Sequence, residues 1–395
     1  MHWHKQIIES KIINVITILA FVVLFSSFYT ESIFVFAFAL TFILFSLASK
    51  WYLKHAASDL ILSQTKDKIK LFPNEKDTLH IILRQYGRVP IVNSVLHLYF
   101  DNVIDCSPYS KAHTKQVVEV VIPISMAAKE EMKISIPIHA LRRGFAKIRS
   151  ANLTIQHPFG FGVAMLEYNQ WLSQEIIIYP TPISVSGIEQ LLPKKQGTYP
   201  NKHSLFEYAS SPIGTRSYVA SDPFNKIHWK ATARTTMLQT KIYERTSQFA
   251  WSIILDIKDG NGYIENLENL LSYITYICHV ATKKKIQFEL FINIRSAGRT
   301  PFFHLSMGQG KEQLESALEM LARVNRNSVL IPFEKMMFFI EKNHLLAPYI
   351  ITAGLLSGSE SILNKLAGSN GTYQIIDHDG VGYLVPLQKK TLISI

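Results

Sequence analysis

The sequence predicts a multidomain α+β protein with an N-terminal transmembrane helical hairpin, a β-sandwich and a doubly wound α/β domain. Three patterns in the sequence predict this fold class. Two long uncharged runs stand near the N-terminus, short segments of alternating apolar residues follow, and apolar strands then alternate with amphipathic helices. The 395 residues are enough for two soluble domains and an additional segment.

The uncharged runs predict a transmembrane hairpin within residues 1–62, with spans over about 13–29 and 32–48. A cleaved signal peptide is the alternative for the first run. The second run, and the lack of a small-residue cleavage pattern after the first, argue against it. Only Glu31 lies between the runs, while lysines flank the pair on both sides. The positive-inside rule therefore predicts a two-pass protein of the cell membrane whose termini and soluble domains are cytoplasmic, on the basis of Lys5, Lys11, Lys50 and Lys54.

Charge and cysteine content limit the partners and the compartment. The net charge is +11. Beside a membrane segment, this charge indicates an anionic lipid surface rather than nucleic acid. The two cysteines, Cys106 and Cys278, fall in different predicted domains. This placement argues against a disulfide framework and fits a reducing compartment.

The segment 63–182 is predicted to form the β-sandwich, because apolar residues recur there at every second position between turn-forming residues. Examples of this alternation are Leu96, Leu98 and Phe100, and Met132, Ile134, Ile136 and Ile138. Near the end of the segment, His157-Pro158-Phe159-Gly160-Phe161 is predicted to be a structural turn held by its aromatic residues. Residues 183–213 are predicted to be a connector, since they contain Pro and Gly without a clear period.

Residues 214–395 are predicted to form the α/β domain. An apolar run ending in Asp256 has the composition of a central parallel strand. Amphipathic segments with period 3.6 follow and alternate with further apolar strands. The predicted strands cover 251–256, 287–293, 349–352 and 373–377, and the predicted helices cover 265–285, 311–324, 333–342 and 360–367.

The start of this domain, residues 214–244, contains a concentration of basic and aromatic residues. We predict a turn at Gly214-Thr215-Arg216, then a strand, a short helix and a second strand. Asp222 is predicted to cap the helix and Pro223 to occupy its first turn. Trp229 is predicted to be buried and to anchor the segment.

The same stretch resembles the signature of the domain-of-unknown-function 58 family. The resemblance rests on the spacing of Gly214, Arg216, Tyr218, Asp222-Pro223, Ile227-His228-Trp229-Lys230, Ala233-Arg234, Leu238 and Lys241. Members of this family are bacterial and archaeal, many are membrane-anchored, and their activity is not established. The resemblance implies a von Willebrand factor A-like α/β domain. It also implies a MoxR-type AAA+ ATPase as partner, and a transglutaminase-like membrane protein as a further one. His157 stands where the family usually has Asp.

The resemblance also allows a test for a metal site. Metal-binding von Willebrand A domains carry Asp-x-Ser-x-Ser after the first strand, whose oxygens suit Mg²⁺. Here Lys258 and Gly260 stand at the two serine positions, and no carboxylate follows the third predicted strand. We expect no metal, with Asp256 and Asp259 as weak candidates, and no other cofactor.

These patterns favour a membrane-anchored scaffold or adaptor that binds its partner through residues 214–244. Arg216, Lys230 and Arg234 are expected to make charge-assisted contacts with it. The alternative is a metal-assisted hydrolase centred on Asp222, His228 and Asp256. A third function, single-stranded nucleic-acid binding by the basic and aromatic residues, has no further support in the chain, and we expect no nucleic acid.

Overall fold

In the computed structural model, two long apolar helices lie near the N-terminus, α1 (Lys11–Thr30) and α2 (Ile33–His55). Both are long and apolar enough to cross a membrane. They run antiparallel, since the Thr17 hydroxyl lies 2.5 Å from that of Ser46 and Lys50 Nζ donates to Asn14 Oδ1 at 2.8 Å. Helix α2 continues seven residues beyond the predicted span. Its polar last turns end the hydrophobic run without ending the helix, and Leu53 there is buried.

The structure describes residues 3–64, 68–113, 116–170, 172–192, 199–200, 207–247, 249–260, 262–344, 346–356, 362–363 and 371–387. The chain divides into two units, Met1–Tyr179 and Pro180–Ile395. The predicted boundary after residue 182 lies three residues beyond this division. The predicted helix over 360–367 lies outside the described residues except at 362–363.

The first unit contains a β-sandwich whose strands begin before the hairpin. Strand β1 (Trp3–Glu9) pairs antiparallel with β11 (Gly162–Tyr168), although its residues were predicted to belong to the hairpin. Lys5 Nζ holds β1 to the end of α2 by donating to the carbonyls of Lys54 (2.9 Å) and Ala56 (2.5 Å), and burial lowers the pKa of Lys5 to about 8. The hairpin is therefore inserted between two strands of the sandwich.

The two sheets of the sandwich have the orders β1-β11-β10-β5-β8-β7, with β12 and β3 attached through β10, and β2-β4-β9-β6. Their cores share one apolar cluster. The predicted alternation is confirmed, since Leu96, Leu98 and Phe100 are fully buried. The strands are β2 (Leu60–Gln64), β3 (Ile69–Leu71), β4 (Lys76–Gln85), β5 (Ile91–Asp101), β6 (Ile104–Asp105), β7 (Ser110–His113), β8 (Val117–Met126), β9 (Glu131–Ala140), β10 (Gly144–Gln156), β11 (Gly162–Tyr168) and β12 (Glu175–Ile178).

The second unit contains a seven-stranded mixed sheet of order β13-β24-β23-β22-β17-β20-β21. The four central strands are parallel, as predicted, while β21 and β24 pair antiparallel and were not predicted. The strands are β13 (Val185–Ser186), β17 (Ala250–Leu255), β20 (Gln287–Arg295), β21 (Phe302–Gly308), β22 (Tyr349–Ala353), β23 (Gly371–His378) and β24 (Val381–Pro386). A small hairpin, β18 (Lys258–Asp259) and β19 (Gly262–Tyr263), follows β17.

Helices cover both faces of this sheet. Ile253 and Leu255 of β17 pack in one cluster with α4 (Leu267–Lys283) and α5 (Lys311–Arg323). Ile254 between them points to the opposite face, where it packs with α6 (Phe333–Asn343). This three-layer arrangement explains why β17 is buried along its whole length and reads as a continuous apolar run.

A separate sheet precedes β17 in the chain and comprises β14 (Tyr199–Pro200), β16 (Gln239–Ser247) and β15 (Glu207–Ser217). Between β15 and β16 lie a 3₁₀ turn (Phe224–Lys226) and α3 (Trp229–Thr235). We call residues 207–247 the arm. The predicted connector 183–213 is thus partly regular, since it contains β13, a 3₁₀ helix (Ile188–Leu191), β14 and the start of β15. Its residues 193–198 and 201–206 lie outside the described residues.

Candidate interaction surface

The arm is an antiparallel hairpin of β15 and β16. A folded connection, residues 218–238, joins the two strands. Arg216 pairs with Thr240 and Ser217 with Gln239 in the β15–β16 register. The predicted turn at residues 214–216 is wrong, because all three residues belong to β15. The predicted order of strand, short helix and strand is confirmed.

A network of hydrogen bonds around Asp222 holds the connection to the strand ends from which it emerges. Asp222 Oδ1 accepts a hydrogen bond from Arg216 Nη2 at 2.5 Å, and Oδ2 accepts from Thr240 Oγ1 at 3.0 Å and from the Val219 amide at 3.2 Å. The hydrogen bond from Arg216, assisted by the other two, lowers the pKa of Asp222 against the opposing effect of burial. Asp222 therefore joins both strands to the turn between them.

Asp222 does not cap α3, contrary to the sequence-based prediction. His228 is the cap, since its Nδ1 accepts a hydrogen bond from the Ala231 amide at 3.0 Å. The His228 amide also donates to the Gln239 carbonyl at 2.7 Å. Pro223 precedes the 3₁₀ turn rather than the first turn of α3. Asp222 and Pro223 were predicted to start a single helix, whereas the chain makes two short helical turns, which begin after Pro223 and after His228.

The predicted burial of Trp229 is also wrong. Its side chain is 65% exposed, and Ile227, at 1% exposure, is the buried residue of the connection. Ile227 bridges to Thr240 of β16, so the connection packs on β16 through a residue two positions before α3 rather than through Trp229. Among the arm residues whose side chains the structure describes, 214–242, the exposed apolar ones are Val219, Phe224, Trp229, Met237, Leu238 and Ile242.

Cations stand among these apolar residues. Lys230 and Arg234 are both exposed and are four residues apart on α3, so they lie on the same face of the helix. Lys241 is half-buried in β16, and Tyr218 is half-buried with its ring 6.1 Å from that of Phe224. The arm thus presents apolar and cationic side chains together. An exposed surface of this composition is typical of a protein or lipid contact.

Arg216 has a different role from Lys230 and Arg234. Its guanidinium is bound to Asp222, and its Nη1 donates to the Ser217 carbonyl at 3.2 Å. Replacing Arg216 would therefore disturb the base of the connection as well as any partner contact. Trp229, Lys230 and Arg234 offer cleaner tests of binding.

The remaining candidates lie at the carboxyl edge of the seven-stranded sheet. Asp256 is buried, which raises its pKa, while hydrogen bonds from the Lys258 amide (3.1 Å) and Asn293 Nδ2 (2.8 Å) oppose the rise. Asn293 also accepts from the Ile257 amide at 3.0 Å and was not identified from the sequence. Asp256 is therefore held by its neighbours as a structural group between β17 and β20.

A cleft of about 500 Å³ lies at the same edge and includes Asp259, Glu265 and Asp377 in its lining. Asp377 accepts hydrogen bonds from Asn266, Asn269, Tyr273 and the Gly380 amide. Burial alone would raise its pKa, but these four bonds outweigh it and the pKa is lowered. Among the described residues, no group of three His, Cys, Asp or Glu side chains is placed to hold a metal ion.

The residues of the alternative hydrolase site are engaged in separate local contacts. Asp222 is bound to Arg216, His228 caps α3, and Asp256 is bound to Asn293. Within the described ranges, no hydrogen bond or ion pair joins Asp256 to either of the other two. The fold brings Arg216, Asp222 and Thr240 together instead.

No protein-family model matches the chain, and no curated protein matches it. Several solved structures show weak similarity, and three of them are described here by their identity, coverage and TM-score. The CARDB domain of the PF1109 protein from Pyrococcus furiosus is 12% identical (30% of this chain, 92% of that chain, TM-score 0.18). A beta-glucosidase from Listeria innocua is 11% identical (29% and 16%, TM-score 0.17), and the sporulation control protein Spo0M from Bacillus subtilis is 14% identical (30% and 47%, TM-score 0.16). The chain thus covers less than two thirds of the second and third. Similarities this weak carry no argument about function.

Proposed function

We propose that the protein is a membrane-anchored cytoplasmic scaffold whose arm binds a partner protein with an acidic surface. The observation that carries this proposal is the joint exposure of Trp229, Lys230 and Arg234 on a helix held by its own cap and by the Asp222 network. Such a helix needs little ordering when it binds, which lowers the entropic cost of association. Aromatic and cationic side chains are also those that dominate binding energy at protein interfaces.

The partner that we propose is a MoxR-type AAA+ ATPase, because the arm carries the residues that resemble the domain-of-unknown-function 58 family. A transglutaminase-like membrane protein is a further candidate on the same ground. The von Willebrand factor A-like assignment of the α/β domain is also a proposal. It is supported by the sheet order, in which the first long strand of this sheet, β17, lies in the interior between β20 and β22, as in doubly wound sheets.

The proposed orientation places both termini and the soluble units in the cytoplasm. Lys11 begins α1, Lys50 and Lys54 lie in the last turns of α2, and only Glu31 stands between the helices. Basic residues near the ends of membrane spans are retained on the cytoplasmic side. A cytoplasmic arm is required for contact with an AAA+ ATPase.

We favour the scaffold over the metal-assisted hydrolase because of the surroundings of Asp256. A catalytic carboxylate needs an open position for substrate or metal, whereas Asp256 is buried and hydrogen-bonded between strand ends. The Lys258 amide occupies one of its oxygens. The hydrolase would require a rearrangement of these contacts.

Reversing the charge of the exposed arm cations is expected to abolish partner capture. In Lys230→Glu/Arg234→Glu, an acidic partner surface would meet two repelling carboxylates, and we expect capture to fall at least about 30-fold, equivalent to about 2 kcal/mol. The measurement is quantitative mass spectrometry of proteins that co-purify with the full chain after gentle solubilisation.

The matched control for this charge reversal is Lys311→Glu/Lys335→Glu. These lysines are exposed in the first turns of α5 and α6, where acidic side chains suit the helix dipole. The control changes the net charge by the same amount away from the arm and should retain the partner. Equal loss with both variants would show a general charge effect and contradict docking through the arm.

A further inference from the structure

The turn between β10 and β11, residues 157–161, packs against the membrane helix α2. The Phe159 and Phe161 rings lie 5.4 Å and 5.7 Å from the ring of Phe45. The Phe161 carbonyl accepts a hydrogen bond from the Ser10 amide, at the entry to α1, at 3.0 Å. The end of the sandwich is thus joined to both helices of the hairpin.

The contact with Phe45 fixes how deep the turn reaches along the hairpin. Lys50 marks the level at which the hairpin becomes polar. It donates a hydrogen bond to Asn14 and forms an ion pair with Glu9 at 3.4 Å. Phe45 precedes Lys50 by five residues, or about 7.5 Å along the helix axis. It therefore lies on the apolar side of this level, and the turn beside it reaches the same depth.

The turn is built in a way that suits a lipid environment. It contains no Asp, Glu, Lys or Arg, and Phe159 is 67% exposed at its tip. Three of its amides have acceptors within the turn and its flank: His157 N donates to the Gly162 carbonyl (3.0 Å), Gly160 N to the His157 carbonyl (2.8 Å), and Phe159 N to His157 Nδ1 (3.2 Å). Backbone groups in contact with lipid must be satisfied internally, and these three amides, including that of Phe159 at the tip, meet that condition.

His157 contributes to this construction. Its buried side chain supplies an acceptor for the Phe159 amide, and burial lowers its pKa, which favours the uncharged ring. An Asp at this position, as in the resembling family, would place a carboxylate at the border of the hydrocarbon region. Such a charge is costly there.

The segment that leads from β4 into the start of β5, residues 86–92, also indicates that this end of the sandwich lies at the membrane. The Val92 amide, at the start of β5, donates to the hydroxyl of Tyr52 in α2 at 3.2 Å. The side chains of Tyr86, Arg88 and Val92 in this segment are exposed. An exposed Tyr and Arg beside apolar side chains are typical of residues at the headgroup level of a membrane.

We propose that the turn 157–161 inserts into the leaflet next to the sandwich, with Phe159 in contact with lipid. The occupant of this exposed apolar surface is the bilayer that surrounds α2, because the turn continues the apolar surface of that helix through Phe45. The inference rests on α1 and α2 crossing a membrane, which is part of the proposed function. The insertion fixes the orientation of the sandwich relative to the bilayer by a third point besides the two helices.

Fluorescent labelling of Phe159→Cys in the full-length protein tests this insertion. Both native cysteines are buried, so an environment-sensitive thiol label attaches at residue 159. In phosphatidylcholine and phosphatidylglycerol nanodiscs, spin-labelled lipid should quench this label at least about twofold more than aqueous iodide does, as expected for a group at the headgroup–acyl boundary. Pro158→Cys, also exposed, repeats the measurement if the first variant does not fold.

Two control labels make each outcome decisive. Lys76→Cys lies at the far end of β4, nine residues or about 30 Å from Gln85, which pairs with Leu60 just after α2. It should be quenched by iodide. Phe38→Cys, exposed within α2, should be quenched by lipid. An iodide-quenched label at 159 with a lipid-quenched label at 38 overturns the insertion and leaves the membrane anchor intact. Iodide quenching at both overturns the insertion and the membrane-anchored function together.

Discussion

Replacing Trp229 with alanine is expected to weaken partner capture about 30-fold, corresponding to about 2 kcal/mol of binding free energy. Trp229 is 65% exposed on α3 between the cap residue His228 and the cation Lys230. An exposed Trp with cations nearby is the type of side chain whose truncation costs most at an interface. Binding of the partner to the full-length protein in nanodiscs, measured by titration, gives the change directly.

The control for Trp229→Ala is Phe338→Ala, an exposed aromatic residue on α6. It removes a similar apolar area outside the arm and should leave binding unchanged. Because Trp229 is mostly exposed, its removal should also leave the thermal midpoint nearly unchanged. A variant that binds like wild type would show that the arm's helix is not at the interface. A large fall in the midpoint would instead assign Trp229 a structural role.

Replacing Gly354 with alanine is expected to destabilise the α/β unit by about 3 kcal/mol or more, lowering its thermal midpoint by roughly 6–12 °C. Gly354 follows β22 with φ of +109°, where L side chains are strained. A Cβ there would lie 1.8 Å from the Asp256 carbonyl oxygen and 3.1 Å from the Asp256 Cβ. Both atoms belong to Asp256, whose amide donates to the Ala353 carbonyl at 2.8 Å at the end of β17, so Asp256 cannot move aside without disturbing the pairing of β17 with β22.

Gly260→Ala separates backbone strain from steric overlap. Gly260 also has positive φ, +52°, but an added Cβ would meet nothing within 4 Å. We expect a cost of about 1 kcal/mol for this control. Equal effects from the two substitutions, read from thermal unfolding of the full-length protein, would contradict the close approach of β17 and β22. The approach also bears on function, since it leaves no room for a carboxylate side chain at residue 354.

The parts of the fold that could be predicted are those in which burial imposes a simple period. The 3.6-residue pattern of Leu267 to Ala281 predicts α4, and the continuous apolar run ending at Leu255 predicts the central strand β17. Strand β1 was missed because its residues are mostly exposed and its pairing with β11 joins segments about 160 residues apart. The edge strands β21 and β24 are half-exposed and likewise lack a continuous apolar run.

The location of the candidate surface could be predicted from the sequence, but its hydrogen bonds and its buried residue could not. The sequence places Arg216 and Asp222 in one short stretch, and the hairpin register then adds Thr240 to their network. Which residue of the connection is buried depends on how α3 meets β16, and seven helical residues are too few to define a face. Ile227 was therefore not distinguished from Trp229. Asn293 had a detectable signal, since it lies near the carboxyl end of a predicted strand and parallel strands end at one edge.

Site-specific photo-cross-linking from the arm tests the central claim most directly. A photoreactive amino acid at Phe224, an exposed position of the 3₁₀ turn, would be activated in cells that produce the full-length protein. The scaffold account predicts that a MoxR-type AAA+ ATPase is captured from residue 224 and not from the same amino acid at Lys335 on α6. Capture of lipid or nucleic acid alone from residue 224, or of the ATPase equally from both positions, would contradict it.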